Sequence, residues 1–406
     1  MPNSMFFSVV HDKKFSTDFL ANDPGELSKS AKERLAIPVP GFDFSVNLEL
    51  HNFPTDKWLL SSAVQKLIRR GLAERAVKTA LTLHLLDPAY LPRRLPVIAL
   101  EDVGIADLAV CFDTLHVFGT RRLSAKTSDL DQRQLLANLI YRLACSVKSR
   151  AACDILCLAL ADSSLLTTAA ELMRSGAEYL IKLAADRKAA DVARALALHL
   201  LSGMSVKKPG QYRPVSRFNG DALITVAEKL DLPPVIAWML IKGRNTSGLA
   251  AMLPLVLEAV SDGAADLQIK QFRKSKSKVL AENPILGVPA CAADMHTSIG
   301  RRAIAQYSEA VKQKHPRFFE AIQDGISHSK LFELAIFHLE GSKLNRWLEC
   351  GTLAGYREQV ERAELKTLGL SDPASHQQLY QILETECQLL WQIRKAHLSS
   401  AFYAGK

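Results

Sequence analysis

Asp294, His296 and Thr297 fall within four residues of one another in the most unusual local stretch of the chain, Gly287-Val288-Pro289-Ala290-Cys291-Ala292-Ala293-Asp294-Met295-His296-Thr297-Ser298-Ile299-Gly300-Arg301-Arg302. Three chemistries suit those residue types. A carboxylate and an imidazole two residues apart can share a cation, with His315 as third ligand. A catalytic zinc needs three protein ligands, and neither an HExxH string nor a second acidic cluster accompanies the pair. Thr297 and Ser298 at a helix N-terminus, with Arg301 and Arg302 in the first turns, would instead make an anion pocket. The structural alternative has Asp294 or Thr297 capping the helix while His296 satisfies a buried backbone group.

Two basic stretches carry a second kind of chemistry. Lys270-Gln271-Phe272-Arg273-Lys274-Ser275-Lys276-Ser277-Lys278 surrounds one aromatic with five cations and three hydroxyl or amide groups. Phosphates take that mixture of point charge and donors, and Phe272 can stack on an exposed base. Lys207, Lys208, Tyr212 and Arg213, with Arg217 and Phe218, repeat the theme more weakly. The alternative for both is a solvated loop without a partner. A P-loop requires Gly-x-x-x-x-Gly-Lys-Ser/Thr, and the sole Gly-Lys pair is Gly405-Lys406. A Walker B strand ending in paired acids is also absent, so no ATP hydrolysis and no cofactor are expected. No Gly-x-Ser-x-Gly elbow occurs and no cysteine stands in a recognisable catalytic context.

The elements that must position these residues are helices. The chain has 406 residues, 48% hydrophobic and 7% aromatic, which favours Leu/Ala-rich helices over strands. Asp129–Leu201 contains no proline and a single glycine, Gly176. The fold class expected is mainly α, a multi-helix bundle body with a short extended or β-containing N-terminal arm. Residues 1–56 form that arm, with β-prone runs at Phe6–Val10 and Phe42–Leu48 and a turn at Asn22-Asp23-Pro24-Gly25. A helical domain follows over 57–205, a linker and basic helical region over 206–298, and a C-terminal helical region over 299–406. Gly203–Pro214 reads as the clearest linker. The formal charge of +9 points to an acidic partner, nucleic acid first. Seven cysteines without a CxxC pair indicate a reduced, cytoplasmic protein, with Cys153 and Cys157 as small buried apolar residues. No secretory signal and no apolar run of spanning length is present, so no membrane partner is expected.

One block is more specific than composition. It runs Ser62-Ala63-Val64-Gln65-Lys66-Leu67-Ile68-Arg69-Arg70-Gly71, then Asp87-Pro88-Ala89-Tyr90-Leu91-Pro92-Arg93-Arg94-Leu95, then Glu101-Asp102-Val103-Gly104-Ile105-Ala106-Asp107. In helical terms Gly71 caps or breaks the first helix, Asp87 and Pro88 open a third, and Pro92 and Pro96 kink or delay it. Glu101 and Asp102 at its C-terminal end oppose the helix dipole, and are expected to pair with Arg69, Arg70, Arg93 or Arg94 as a structural lock. Gly104 then ends the helix in the left-handed conformation and Asp107 caps the next.

The three strings, in this order and spacing, resemble the helical region after the ATPase module in the replication-associated recombination protein A family, within the clamp-loader clade of AAA+ ATPases. The resemblance covers about an eighth of the chain. It implies the assembly and partner-binding half of such a protein without its motor. The expected function is a non-catalytic DNA replication or repair accessory protein, suited to a phage, plasmid or other mobile element. It would self-associate as a dimer or tetramer and bind single-stranded or junction DNA and replication or repair proteins. Two alternatives stay open: a metal- or phosphate-dependent enzyme centred on Asp294–Arg302, and a protein-interaction scaffold without nucleic-acid binding.

Overall fold

A computed structural model describes residues 17–36, 56–118, 129–161, 171–208, 211–214, 220–272, 283–320 and 327–404, apart from 173, 245 and 247, together with 322. The chain is mainly α-helical, and the sheets among the described residues are two-stranded. None of the described helices is long and apolar enough to cross a membrane. Two compact units are built from non-consecutive segments: Met1–Pro40, Pro92–Lys270 and Arg346–Ala363 in one, Gly41–Leu91, Gln271–Asn345 and Glu364–Lys406 in the other. This grouping depends on tertiary contacts and so differs from a linear division at residues 56, 205 and 298.

Within the stretch 1–56 expected as an extended arm, the described residues form helices at Thr17–Ala21 and Pro24–Ala36. Asp23 accepts the Gly25 and Glu26 amides at 2.7 and 3.2 Å, and Pro24 opens the helix Pro24–Ala36. The Asn22–Gly25 turn signal is therefore a helix start, because an Asp before Pro serves as an N-cap as readily as a turn residue. Leu27 and Ala31 are buried, and Arg34 reaches Asp113 at 2.5 Å. Arg142 meets the same carboxylate from the helix Asp129–Cys145 at 2.7 Å, so one buried acid ties three helices. The β-prone runs at 6–10 and 42–48 lie outside the described residues.

The helices expected between 129 and 262 are present as Asp129–Cys145, Ala151–Ala161, Ala177–Ala185, Asp191–Leu201, Asp221–Lys229, Pro234–Lys242 and Leu253–Asp262. Gly203–Pro214 is not a linker. After Gly203, whose φ is +84°, Met204–Lys208 pairs antiparallel with Gln211–Pro214. Met204-Ser205-Val206 alternates as a strand does.

The motif block departs from its sequence reading at three places. Asp87 ends the helix Ala73–Leu86 instead of opening the next, and its carboxylate takes Lys57 at 3.1 Å. The following helix, Tyr90–Ile98, contains Pro96, which cannot bond the Pro92 carbonyl, and it opens into a π turn over Ala99–Val103. Gly104 has φ +51° but ψ −133°, outside the left-handed helical well, and a Cβ there would stand 3.0 Å from the Ser149 carbonyl. Asp107 does cap the helix Leu108–Phe118, accepting the Val110 amide at 3.2 Å.

The second unit packs the C-terminal helices around one core. Ile304, Tyr307, Phe318, Phe319, Leu331 and Phe332 are buried there with Leu379, Leu383 and Leu390. Leu334 is buried with Phe318, Phe319 and Phe332, whereas Phe337 is half-buried. The helix Lys57–Arg69 ends in a Schellman turn: the Leu72 amide bonds the Leu67 carbonyl, the Gly71 amide bonds that of Ile68, and Gly71 has φ +67°.

Lys148, in the first unit, is fully buried with its Nζ on the Ala144 carbonyl at 2.9 Å and the Ser146 carbonyl at 2.5 Å. It thus closes the C-terminus of the helix Asp129–Cys145, where a cation complements the dipole. Burial pulls this ammonium down to about 7, and the charges of Cys145, Asp102 and Asp107 offset part of that loss. Between that value and the unfolded lysine near 10.4, the unfolded chain binds the extra proton, so this group adds stability as pH rises. Relative to Lys148→Met, the wild-type unfolding free energy should increase by up to about 1.4 kcal/mol per pH unit between pH 7 and 9. Urea titrations of both proteins across that range check it; parallel pH profiles would show that Lys148 does not titrate there.

Candidate functional site

The Asp294 segment is held by the helix Lys57–Arg69, which places Ser62, Lys66 and Arg69 on one face by their i, i+4, i+7 spacing. Lys66 Nζ lies 2.6 Å from Asp294 Oδ2 and donates to Ser62 Oγ at 2.6 Å. Ser62 in turn donates to the Ala292 carbonyl at 2.8 Å. Asp294 also accepts the His296 backbone amide at 3.0 Å, and its own carbonyl accepts the Thr297 amide and hydroxyl. Burial alone would raise this carboxyl; the Lys66 charge and the His296 and Lys66 hydrogen bonds outweigh it and hold the group well below the usual carboxylate range. Burial pulls Lys66 below the usual lysine value, opposed chiefly by the Asp294 charge. Lys66 and Asp294 thus face each other as a buried, hydrogen-bonded cation–carboxylate pair.

A ring of arginines closes around the same centre. Arg69 donates to the Gly341 carbonyl and Arg70 to the Glu340 carbonyl, each at 2.6 Å. Those carbonyls belong to a π turn, Phe337–Gly341, which continues the helix His328–Ile336. Arg394, buried on the last helix, donates to the Ala293 carbonyl at 3.0 Å and pairs with Glu340 at 2.7 Å. Gly300 lies so close to the Asp294 backbone that a Cβ would stand 2.1 Å from its carbonyl oxygen. Any side chain at 300 would push the helix Ser298–Lys314 off the segment that orients Asp294.

This geometry decides among the chemistries open to Asp294–Arg302. Thr297 is the helix cap, accepting the Gly300 amide at 3.0 Å. His296 does not satisfy a buried backbone group: its side chain is 58% exposed, with Nδ1 3.3 Å from Asp294 and its ring 5.2 Å from Phe337. His315 cannot be a third ligand, since it ends the same helix roughly 25 Å away along the axis and bonds Glu386 at 3.2 Å. Among the described residues no group of three or more His, Cys, Asp or Glu is placed to hold a metal ion. Arg301 and Arg302 are exposed, and Arg301 donates to the Met295 carbonyl. Ser62 beside Lys66 resembles a nucleophile with a lysine base, but Lys66 Nζ is taken up by Asp294 at 2.6 Å and the Ser62 hydroxyl donates to the Ala292 carbonyl.

The basic stretches are placed in part. Lys270 is on the strand Gln268–Gln271 and forms an ion pair with Glu349 in the same unit. Phe272 has Lys343 above its ring, Nζ 5.8 Å from the centroid. Arg273, Lys274, Lys276 and Lys278 lie outside the described residues. Lys207, Lys208 and Arg213 belong to the antiparallel hairpin, where Arg213 stands opposite Ser205 and Lys208 opposite Gln211.

The acidic pair of the motif block finds a partner that the sequence did not suggest. Arg150 reaches Asp102 at 2.8 Å and Glu101 at 3.1 Å, and Asp102 is fully buried. Arg94 is half-buried and stands 3.7 Å from Glu101, whereas Arg93 is exposed. Arg69 and Arg70 serve backbone carbonyls instead. The expected lock exists, but a residue some fifty positions along the chain supplies its main cation. Lys148, Arg394 and Glu340 were likewise not legible, because nothing in a lone Lys, Arg or Glu marks it as buried.

Comparison with protein-family models, with curated proteins and with solved structures gives no match.

Two outcomes follow for the ion pairs. Lys66→Met should lower the unfolding free energy by roughly 3–5 kcal/mol through an uncompensated buried carboxylate, and Lys66→Met with Asp294→Asn should recover part of it. Urea denaturation of both variants measures this, and a single variant as stable as wild type would contradict it. Arg150→Ala should likewise cost roughly 3–5 kcal/mol, while Arg93→Ala and Arg94→Ala should each stay within about 1 kcal/mol. Thermal melts of the three variants rank them.

Proposed function

We propose that the protein is a non-catalytic accessory factor of DNA replication or repair, working in the cytoplasm as a dimer or tetramer and binding DNA through its basic segments. The observation that carries this reading is the distribution of charge. Among the described residues the buried charged side chains are six cations, Lys66, Arg69, Arg70, Lys148, Arg194 and Arg394, and six acids, Asp102, Asp107, Asp113, Asp154, Asp294 and Glu349. Those twelve cancel in formal charge, and the chain as a whole carries +9. A net surplus of that sign favours a polyanionic partner. Arg301, Arg302 and Lys312, exposed along the helix Ser298–Lys314, contribute to it.

The resemblance of 62–107 to the clamp-loader-clade helical region supports the replication setting, self-association and the replication or repair protein partners. The reading places no catalytic step on the chain, and includes an origin in a mobile element. The enzyme centred on Asp294–Arg302 is not proposed, because Lys66 occupies the carboxylate that such an enzyme would use.

Lys274, Lys276 and Lys278 should bind phosphate without reading sequence, since lysines interleaved with serines present no rigid fork for a base edge. Their replacement by glutamine should weaken binding to unrelated single-stranded and junction DNAs by similar factors. It should also flatten log affinity against log salt by about two to three units. Fluorescence anisotropy over a salt series reads both effects. An unchanged slope would remove the segment from the interface, and an absence of DNA binding at low salt would leave the scaffold reading in its place.

A further inference from the structure

Cys153 and Cys157 stand one turn apart on the helix Ala151–Ala161, so both side chains share a face. Their sulfurs are 3.8 Å apart. Around a tetrahedral ion with metal–sulfur bonds of about 2.3 Å, two sulfurs are separated by about 3.8 Å, so the thiols already have the bite of a chelate. Cys153 is in the first helical turn, and Arg150 Nη2 lies 3.2 Å from its sulfur. Glu101 and Asp102 pair with that guanidinium, so its charge does not stand alone against an incoming cation. Cys157 is half-buried rather than buried, unlike the apolar role expected of it, and gives a small species a way in.

We propose that Cys153 and Cys157 form a bidentate dithiol site for one soft, thiophilic centre. Two sources share that chemistry: a d10 divalent ion and a trivalent arsenical. With the ion, two thiols lose their protons and two metal–sulfur bonds form, releasing two protons. With an arsenical oxide R–As=O, two arsenic–sulfur bonds form as the arsenic–oxygen bond breaks. The thiol protons leave with that oxygen as water, and neither sulfur nor arsenic changes oxidation state. The site is independent of DNA binding.

The experiment uses the reduced full chain with two probes, cadmium ion and phenylarsine oxide. Cadmium uptake is followed by thiolate charge-transfer absorption and proton release, and the arsenical by intact mass. One equivalent should bind, and Cys153→Ser or Cys157→Ser should each weaken binding by about a hundredfold or more through loss of the second attachment. Cys145→Ser, at an exposed thiol, should change nothing. Uptake of both probes supports a metal site, and uptake of the arsenical alone supports a site for covalent centres. No uptake of either, or uptake that persists in both single variants, overturns the proposal. Circular dichroism confirms the fold of each variant, and Cys157→Ala, on the half-buried side of the pair, decides the question if Cys153→Ser does not fold.

Discussion

Taking the ammonium of Lys66 and the carboxylate of Asp294 out of water costs several kcal/mol for each ion, and their mutual attraction offsets this only with good geometry and further hydrogen bonds. Both conditions are met. The ions approach to 2.6 Å, Ser62 accepts from Lys66, and the His296 backbone amide donates to the second oxygen of Asp294. Much of the second unit follows from keeping that arrangement. Thr297 must cap its helix where it does, Gly300 must lack a side chain, and the π turn Phe337–Gly341 must present its carbonyls to Arg69 and Arg70. A π turn widens the helix and leaves carbonyls without helical partners, so the arginines and the turn require each other.

The first unit solves the same problem with a different residue. Arg150 brings one guanidinium nitrogen, Nη1, to both Glu101 and Asp102, in a π turn that succeeds a proline-containing helix. Its second terminal nitrogen is left for the Cys153 sulfur. Arg34 and Arg142 on Asp113, and Arg194 on Glu258, repeat the pattern. Buried arginine–carboxylate pairs therefore fix helix positions in a body otherwise made of Leu and Ala faces, which alone discriminate weakly between registers.

How much could be read in advance depended on whether the signal was local. Helix periodicity between 129 and 262 and in the last hundred residues is local, and helices are present across both stretches. Gly71 and Asp107 act as the cap chemistry demands. Asp87 and Asn22–Gly25 failed for the opposite reason: an Asp beside Pro fits a helix end, a helix start or a turn, and only the neighbouring element decides. The hairpin at 204–214 was hidden by its basic, turn-rich composition, which a linker shares. Arg150 was invisible as a partner because charge pairing across the chain leaves no periodic trace.

The motif block from Ser62 to Asp107 falls in both compact units, with the division at Leu91 and Pro92. Its first string holds Lys66, Arg69 and Arg70, which organise the Asp294 segment and the π turn of one unit. Its last string holds Glu101 and Asp102, which anchor Arg150 in the other. Neither set of charges is free to face a partner, since each is consumed in local pairing or in backbone bonds. The charges at both ends of the block thus shape each unit from within, and of its arginines Arg93 alone is exposed among the described residues.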